Sequence, residues 1–433
     1  MVRELVEEPI SASTLRHAAP RAGWWIVPML MAIVAISHIN RISISKAGDA
    51  RIMAQYGIPP TQMGWVYSAF GITYTLCMIP GGWFIDRFGS NRALMTVGFG
   101  SAVFVALTGL LGLAIHGATT LFVGLLIVRG LMGIVSAPLH PSCARAISGA
   151  VSPAVQARSN GLVNGMALVG IASVPVGFGW LIDRFDWPQA FLIASTLTTA
   201  IALAWTLCAP RQIEKPLGPT TNGDLPAAAD WLPLFRNRSL ILLTLSYGTV
   251  GYFQYLFFYW VNHYFEVVLK LPDALSRRYG TILPLAMAVG MPVGGWISDR
   301  VERILGTHRG RAVIPVTGMV GGALFLGLGV ISHDTAQSVV WFALALGAVG
   351  AAEGPFWQTA TDLGGPRGGS SGAVFNTGGN AVGFMAPVIT PLVGKYYGWG
   401  AAVGLGGLVC FLGVLLWLGI NPCDRIKGAE NET

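Results

Sequence analysis

The chain has 433 residues, of which 53% are hydrophobic and 11% charged, with a formal net charge of +7 and a mean hydropathy of +0.60. That composition leaves too little polar surface for a soluble protein of this length and predicts a chain that lives in lipid. No phosphate-cradling loop with a following Lys-Ser/Thr occurs, which argues against ATP-driven transport. The five cysteines (77, 143, 208, 410 and 423) show no C-x-x-C spacing, so neither a metal, a disulfide nor a cofactor is expected.

In chain order, a polar tail (1–23) carries Glu4, Glu7 and Glu8 and has no secretory signal, so the first apolar run is expected to be retained. A bilayer core takes about 20 apolar residues per helix. Runs of that kind lie at 24–46, 63–84, 93–115, 120–141, 160–182 and 189–209, and again at 239–266, 279–298, 312–332, 338–361, 370–394 and 400–420. Twelve transmembrane helices in an all-α membrane protein are therefore predicted, as two six-helix halves, 24–209 and 239–420. Between them, 210–238 contains Pro216, Gly218, Pro219, Asn222 and Gly223 and reads as a cytoplasmic linker; 421–433 is a C-terminal tail. Most of the 27 Lys and Arg fall on the side that holds both termini, which makes that side cytoplasmic and explains the net charge without nucleic acid.

The halves repeat each other. Gly-Gly-Trp-Phe-Ile-Asp-Arg at 81–87 returns as Gly-Gly-Trp-Ile-Ser-Asp-Arg at 294–300, and Asn164 and Trp187 return as Asn376 and Trp399. Duplication of this size is how many transporters build two halves that rock about a central site. Opposite charges near helix ends, Asp86 with Arg87 and Arg92 in the first copy and Asp299 with Arg300 in the second, can form a breakable latch.

Gly82-x-x-x-Asp86-Arg87-x-Gly89-x-x-Arg92 resembles the loop that marks the major facilitator superfamily, and Gly295-x-x-x-Asp299-Arg300 resembles its partner in the second half. A narrower resemblance runs through Ser37-His38-Ile39-Asn40-Arg41, Arg129-Gly130-Leu131-Met132-Gly133, Glu353-Gly354-Pro355-Phe356-Trp357 and Asn376-Thr377-Gly378-Gly379-Asn380. These segments are similar to the anion:cation symporter family, in its hexuronate and glucarate branch. The resemblance implies a carrier of organic anions such as hexuronates, glucarate or galactonate, commonly with protons, and a charge latch that holds the cytoplasmic side shut.

Arg41 and Arg129 are the sharpest candidates on physical grounds, because an ionised group inside a span costs about 2.5–3.5 kcal/mol on the insertion scale. His38, Arg41 and Ser45 share one helix face, as do Arg129, Ser136 and His140. Two polar stripes meeting in one cavity would grip a carboxylate through the guanidinium fork. Tyr74, Asn164, Tyr252, Gln254, Tyr255, Asn376 and Asn380 are candidate readers of sugar hydroxyls. Where the resemblance implies an Asp before the first Arg and a Glu seven residues after the second, this chain has Asn40 and Ser136, neither of which titrates. The proton-coupling candidates are then Glu353, His38 and His140, with Lys46 and Asp49 as further unusual charges nearby.

The reading is a secondary active transporter of a small carboxylate in a bacterial-type inner membrane, a monomer, with the proton as coupling ion. Its competitors are an uncoupled facilitator or anion exchanger, a multidrug-type exporter of the same fold, which the two arginines oppose, and a non-transporting receptor. No nucleophile, base and orienter cluster suggests an enzyme.

Overall fold

The computed structural model describes residues 25–151, 153–209, 228–365 and 368–426. The N-terminal tail 1–23, the linker over 210–227 and the end of the C-terminal tail, 427–433, lie outside the described residues. Among those described there are helices and no strand. The first half runs α1 (Ile26–Ala47), α2 (Met53–Tyr56), α3 (Pro60–Leu76), α4 (Met78–Ala114), α5 (Ala118–Ser136), α6 (Leu139–Ala150), α7 (Pro153–Ser173), α8 (Gly179–Phe185) and α9 (Trp187–Cys208). The second runs α10 (Ala228–Arg236), α11 (Arg238–His263), α12 (Asp273–Ile331), α13 (Thr335–Leu363), α14 (Gly368–Gly383), α15 (Ala386–Tyr397) and α16 (Trp399–Trp417). The tail of the predicted linker is thus helical, as α10.

Nine helices among the described residues are long and apolar enough to cross a membrane, or ten when α3 and Met78–Ile85, bent by 50°, count as one span. The 59-residue α12 counts once in that tally, yet Gly306, at φ 75°, breaks it between the predicted runs 279–298 and 312–332. The run 370–394 divides into α14 and α15, each too short to count alone. Gly89 breaks α4 in the same manner, at φ 84°.

Side chains and backbone repeat together. Asp186 (φ 65°) precedes Trp187, and Gly398 (φ 86°) precedes Trp399, so both repeated tryptophans open a helix after a left-handed residue. Asp186 offsets that strain by accepting the Trp187 N–H through Oδ1 at 2.8 Å, an N-cap that Gly398 does not need. Close helix approach follows from the small residues. In the second motif copy, a Cβ on Gly294 would stand 2.2 Å from the carbonyl oxygen of Ala351, so α12 and α13 pack backbone to backbone. Outward faces carry Leu, Ile and Val in both halves, as in Leu207 and Leu324, which suits a hydrocarbon solvent.

Candidate substrate site and gates

Arg41 projects from α1 to the other half. Its Nη2 donates to the Tyr255 hydroxyl at 2.7 Å. The guanidinium carbon stands 5.2, 5.8, 5.2 and 5.0 Å from the ring centroids of Phe70, Tyr74, Tyr255 and Phe384. Tyr255 donates onward to Asn380 Oδ1 at 2.7 Å, and Asn380 Nδ2 donates to Asn376 Oδ1 at 2.9 Å. An aromatic box lends such a cation polarizable faces but no compensating charge. No carboxylate belongs to this set, and Arg41 Nε is buried without a hydrogen-bond partner.

Arg129, on α5, is 1% exposed. Its Nη1 donates to the Asn40 carbonyl at 3.1 Å and its Nη2 to the Arg41 carbonyl at 2.5 Å, so its fork grips the backbone of α1. Both guanidiniums lie beside one ring: Phe70 is 5.3 Å from Arg129 and 5.2 Å from Arg41. At the positions where the family resemblance implies carboxylates, Asn40 donates to Thr198 Oγ1 at 2.8 Å, and Ser136 donates to the Met132 carbonyl at 2.8 Å. This wall holds two fixed positive charges and no acid.

The two histidines come together, His38 against His140 with ring centroids 5.3 Å apart. His38 Nδ1 donates to the Val34 carbonyl at 2.9 Å, and His140 Nδ1 lies 3.0 Å from Asn164 Oδ1. On the opposite wall, half-buried Glu353 accepts from the Tyr247 hydroxyl at 2.5 Å and from Gln254 Nε2 at 3.2 Å. Tyr252 is buried, and no hydrogen bond among the described residues joins it to Arg41 or Glu353.

The halves are sealed at the end remote from the repeated motif. Lys46 pairs with Glu266, whose Oε1 also accepts from Ser276 at 3.0 Å. Asp49 lies 3.4 Å from His263, and Arg277 bonds Asp183 at 2.5 Å. Tyr67 stacks on Tyr259 at 5.4 Å. At the motif end the ion pairs among the described residues stay within the second half: Arg311 holds Glu302 at 3.0 Å and also Asp362. The side chain of Asp86 lies outside the described residues. Arg87 and Arg92 are exposed, Arg300 covers Trp296 at 4.1 Å, and the Asp299 carbonyl accepts from Arg303 Nε at 3.1 Å. No ion pair among the described residues spans the halves there.

The family profile described as Major Facilitator Superfamily matches residues 22–387. The chain belongs to that superfamily. It is a transporter rather than an enzyme. It is 27% identical over 416 residues to a D-galactonate transporter of Escherichia coli O6:H1, covering 90% of this chain and 93% of that protein. It is 26% identical over 448 residues to a probable galactarate/D-glucarate transporter of Bacillus subtilis, covering 94% of each. Among solved structures, a bacterial homologue of the human lysosomal transporter Spinster, in an inward-facing and occupied conformation, superposes with a TM-score of 0.75 at 16% identity, over 94% of this chain and 98% of that one. The relatives make this facilitator a transporter of an organic anion, and the superposition shows the fold.

Within the facilitator, Phe70, Tyr247 and Phe384 were absent from the sequence candidates. Tyr247 stands seven residues before Gln254 and Phe70 four before Tyr74, spacings that put each pair on one helix face. Phe384, at the break between α14 and α15, has no such signal. A groove of about 290 Å³ lined by Ile79, Leu234, Phe235, Ile241 and Val374 is apolar and holds none of these charged groups.

Proposed function

We propose that this facilitator moves a sugar acid of the hexuronate, glucarate or galactonate type across a bacterial-type inner membrane by alternating access, coupled to protons. In this reading the twelve predicted spans enclose one pathway per monomer, both termini and the motif end face the cytoplasm, and the charged seal at the other end faces outward. The observation that carries it is the Arg41 guanidinium, boxed by Phe70, Tyr74, Tyr255 and Phe384 with no acid beside it. A half-buried cation of that kind is costly until an anion arrives, and its planar fork suits a carboxylate in particular. Asn376, Asn380, Gln254 and Tyr255 supply both donors and acceptors, which is what a row of hydroxyls requires.

Exchange of anions without protons is the second reading, favoured by Asn40 and Ser136 where the resemblance implies carboxylates. Purified protein in proteoliposomes, given labelled glucuronate, glucarate or galactonate with an inside-alkaline gradient, tests both. Accumulation that a protonophore abolishes supports symport; uptake that needs internal anion supports exchange. No uptake of any of the three overturns the substrate class.

A further inference from the structure

The fixed charges of the Arg41 box and the groups bonded to it do not balance. Arg41 and Arg129 contribute two positive charges and share the Phe70 ring. The acid joined to them through α11 is Glu353, in the other half. The connection is short: on α11, Gln254 donates to Glu353 while its neighbour Tyr255 accepts from Arg41. Glu353 itself is bonded by neutral donors, Tyr247 and Gln254, and among the described residues no Lys, Arg or His pairs with it. The titratable groups facing it are Tyr247 and Tyr255, both from α11; its own helix and α14 bring Trp357 and Phe375 against Tyr247. His38 and His140, bonded to the Val34 carbonyl and to Asn164, enter the balance as neutral rings.

Closing a chamber on an unbalanced charge is strongly unfavourable, because the charge leaves water without a partner. With Glu353 ionised the wall charge is one positive unit, which a monoanion cancels. With Glu353 protonated it is two, which a dianion cancels. We propose that Glu353 makes proton coupling depend on substrate charge: a dianion occludes only with a proton on Glu353, whereas a monoanion occludes with Glu353 ionised and carries none. The step is a bare proton transfer. One proton from water on the substrate's side of entry joins a Glu353 carboxylate oxygen and returns to water on the far side after the dianion leaves; the emptied wall, one positive unit with Glu353 ionised, resets with a small inorganic monoanion in the site. The inference rests on the reading that the chain carries sugar acids.

Galactarate and galactonate are the probes, since they share a carbon skeleton and differ by one terminal carboxylate. Proteoliposomes of the full chain would be held at zero membrane potential, with equal chloride on both sides, the interior at about pH 8 and the exterior at about pH 7, a gradient that one coupled proton converts into about tenfold accumulation. Galactarate is expected to accumulate about tenfold, and galactonate only to equilibrate. Equal accumulation of both, or of neither while both are transported, overturns the proposal and leaves the substrate class standing. No transport of either acid overturns the substrate class and the proposal with it. In Glu353→Gln, galactarate counterflow is expected to persist while its gradient-driven accumulation disappears. Gradient-driven accumulation retained in that variant overturns the assignment to Glu353. The wild-type comparison decides the matter even if the variant does not fold.

Discussion

Arg129 donates to the main-chain carbonyl of Arg41 at 2.5 Å, so one guanidinium fixes the turn of helix from which the other reaches into the chamber. A lysine at 129 keeps the charge but cannot hold the Asn40 and Arg41 carbonyls together. Each charge-assisted bond contributes about 1.5–3 kcal/mol, so Arg129→Lys is expected to lower the melting temperature by several degrees and to reduce counterflow. A variant that melts like the parent would make this contact incidental.

Arg41→Lys is expected to do the reverse, leaving the melting temperature close to the parent and raising the substrate concentration for half-maximal counterflow at least about tenfold, or about 1.4 kcal/mol. Tyr255→Phe keeps the ring over Arg41 and removes the hydroxyl that joins it to Asn380. A smaller loss of about fivefold is expected for it, about 1 kcal/mol for one hydrogen bond. Unchanged affinity in both would move the anion site elsewhere.

Arg41 was legible because a charge inside an apolar run has few explanations, and the duplication because the motif at 81–87 returns at 294–300 and Asn164 and Trp187 return as Asn376 and Trp399. The grip of Arg129 on two carbonyls was not legible, since backbone acceptors leave no trace in sequence. Lys46 and Asp49 stood out as unusual charges, but their partners Glu266 and His263 lie more than 200 residues away, and no local pattern joins them. The break at Gly306 falls in the charged stretch that separates the predicted runs 279–298 and 312–332, so it too could be read from sequence. Charge-bearing positions could thus be read one at a time; pairings across the two halves needed the fold.

Two glycines of α3 let the halves meet. A Cβ on Gly71 would stand 1.9 Å from the Phe384 ring, and one on Gly64 would stand 2.2 Å from the Pro387 carbonyl oxygen. Gly64→Ala has only rigid backbone to push against and is expected to wedge the sealed end open. Gly71→Ala displaces a ring of the Arg41 box and is expected to weaken substrate binding as well. Labelling of a cysteine placed near the seal should rise at least severalfold in both variants; labelling equal to the parent would show that the helices simply shift apart.

The seal itself is expected to respond to acid. Lys46 is 1% exposed and Glu266 14%, and removing one partner of such a pair leaves a buried charge, at a cost of about 3–5 kcal/mol. Glu266→Gln is therefore expected to open the sealed end, and Lys46→Gln in the same chain to restore part of the closure. Asp49, beyond the end of the Ile26–Ala47 span, has its side chain 1% exposed, and burial pushes its carboxyl above the ordinary value against the opposing pull of His263. The sealed state then binds protons more tightly than the open one, where Asp49 is hydrated. Its contribution to closure is fully present in acid and is lost as pH rises through the raised value. Cysteine labelling at the seal, taken relative to a permanently exposed cysteine at the same pH, should accordingly increase in the parent as pH rises above the ordinary carboxylate range and stay flat in Asp49→Asn. A parent profile without slope, or an Asp49→Asn profile as steep as the parent's, would assign the closure to Lys46 and Glu266 alone.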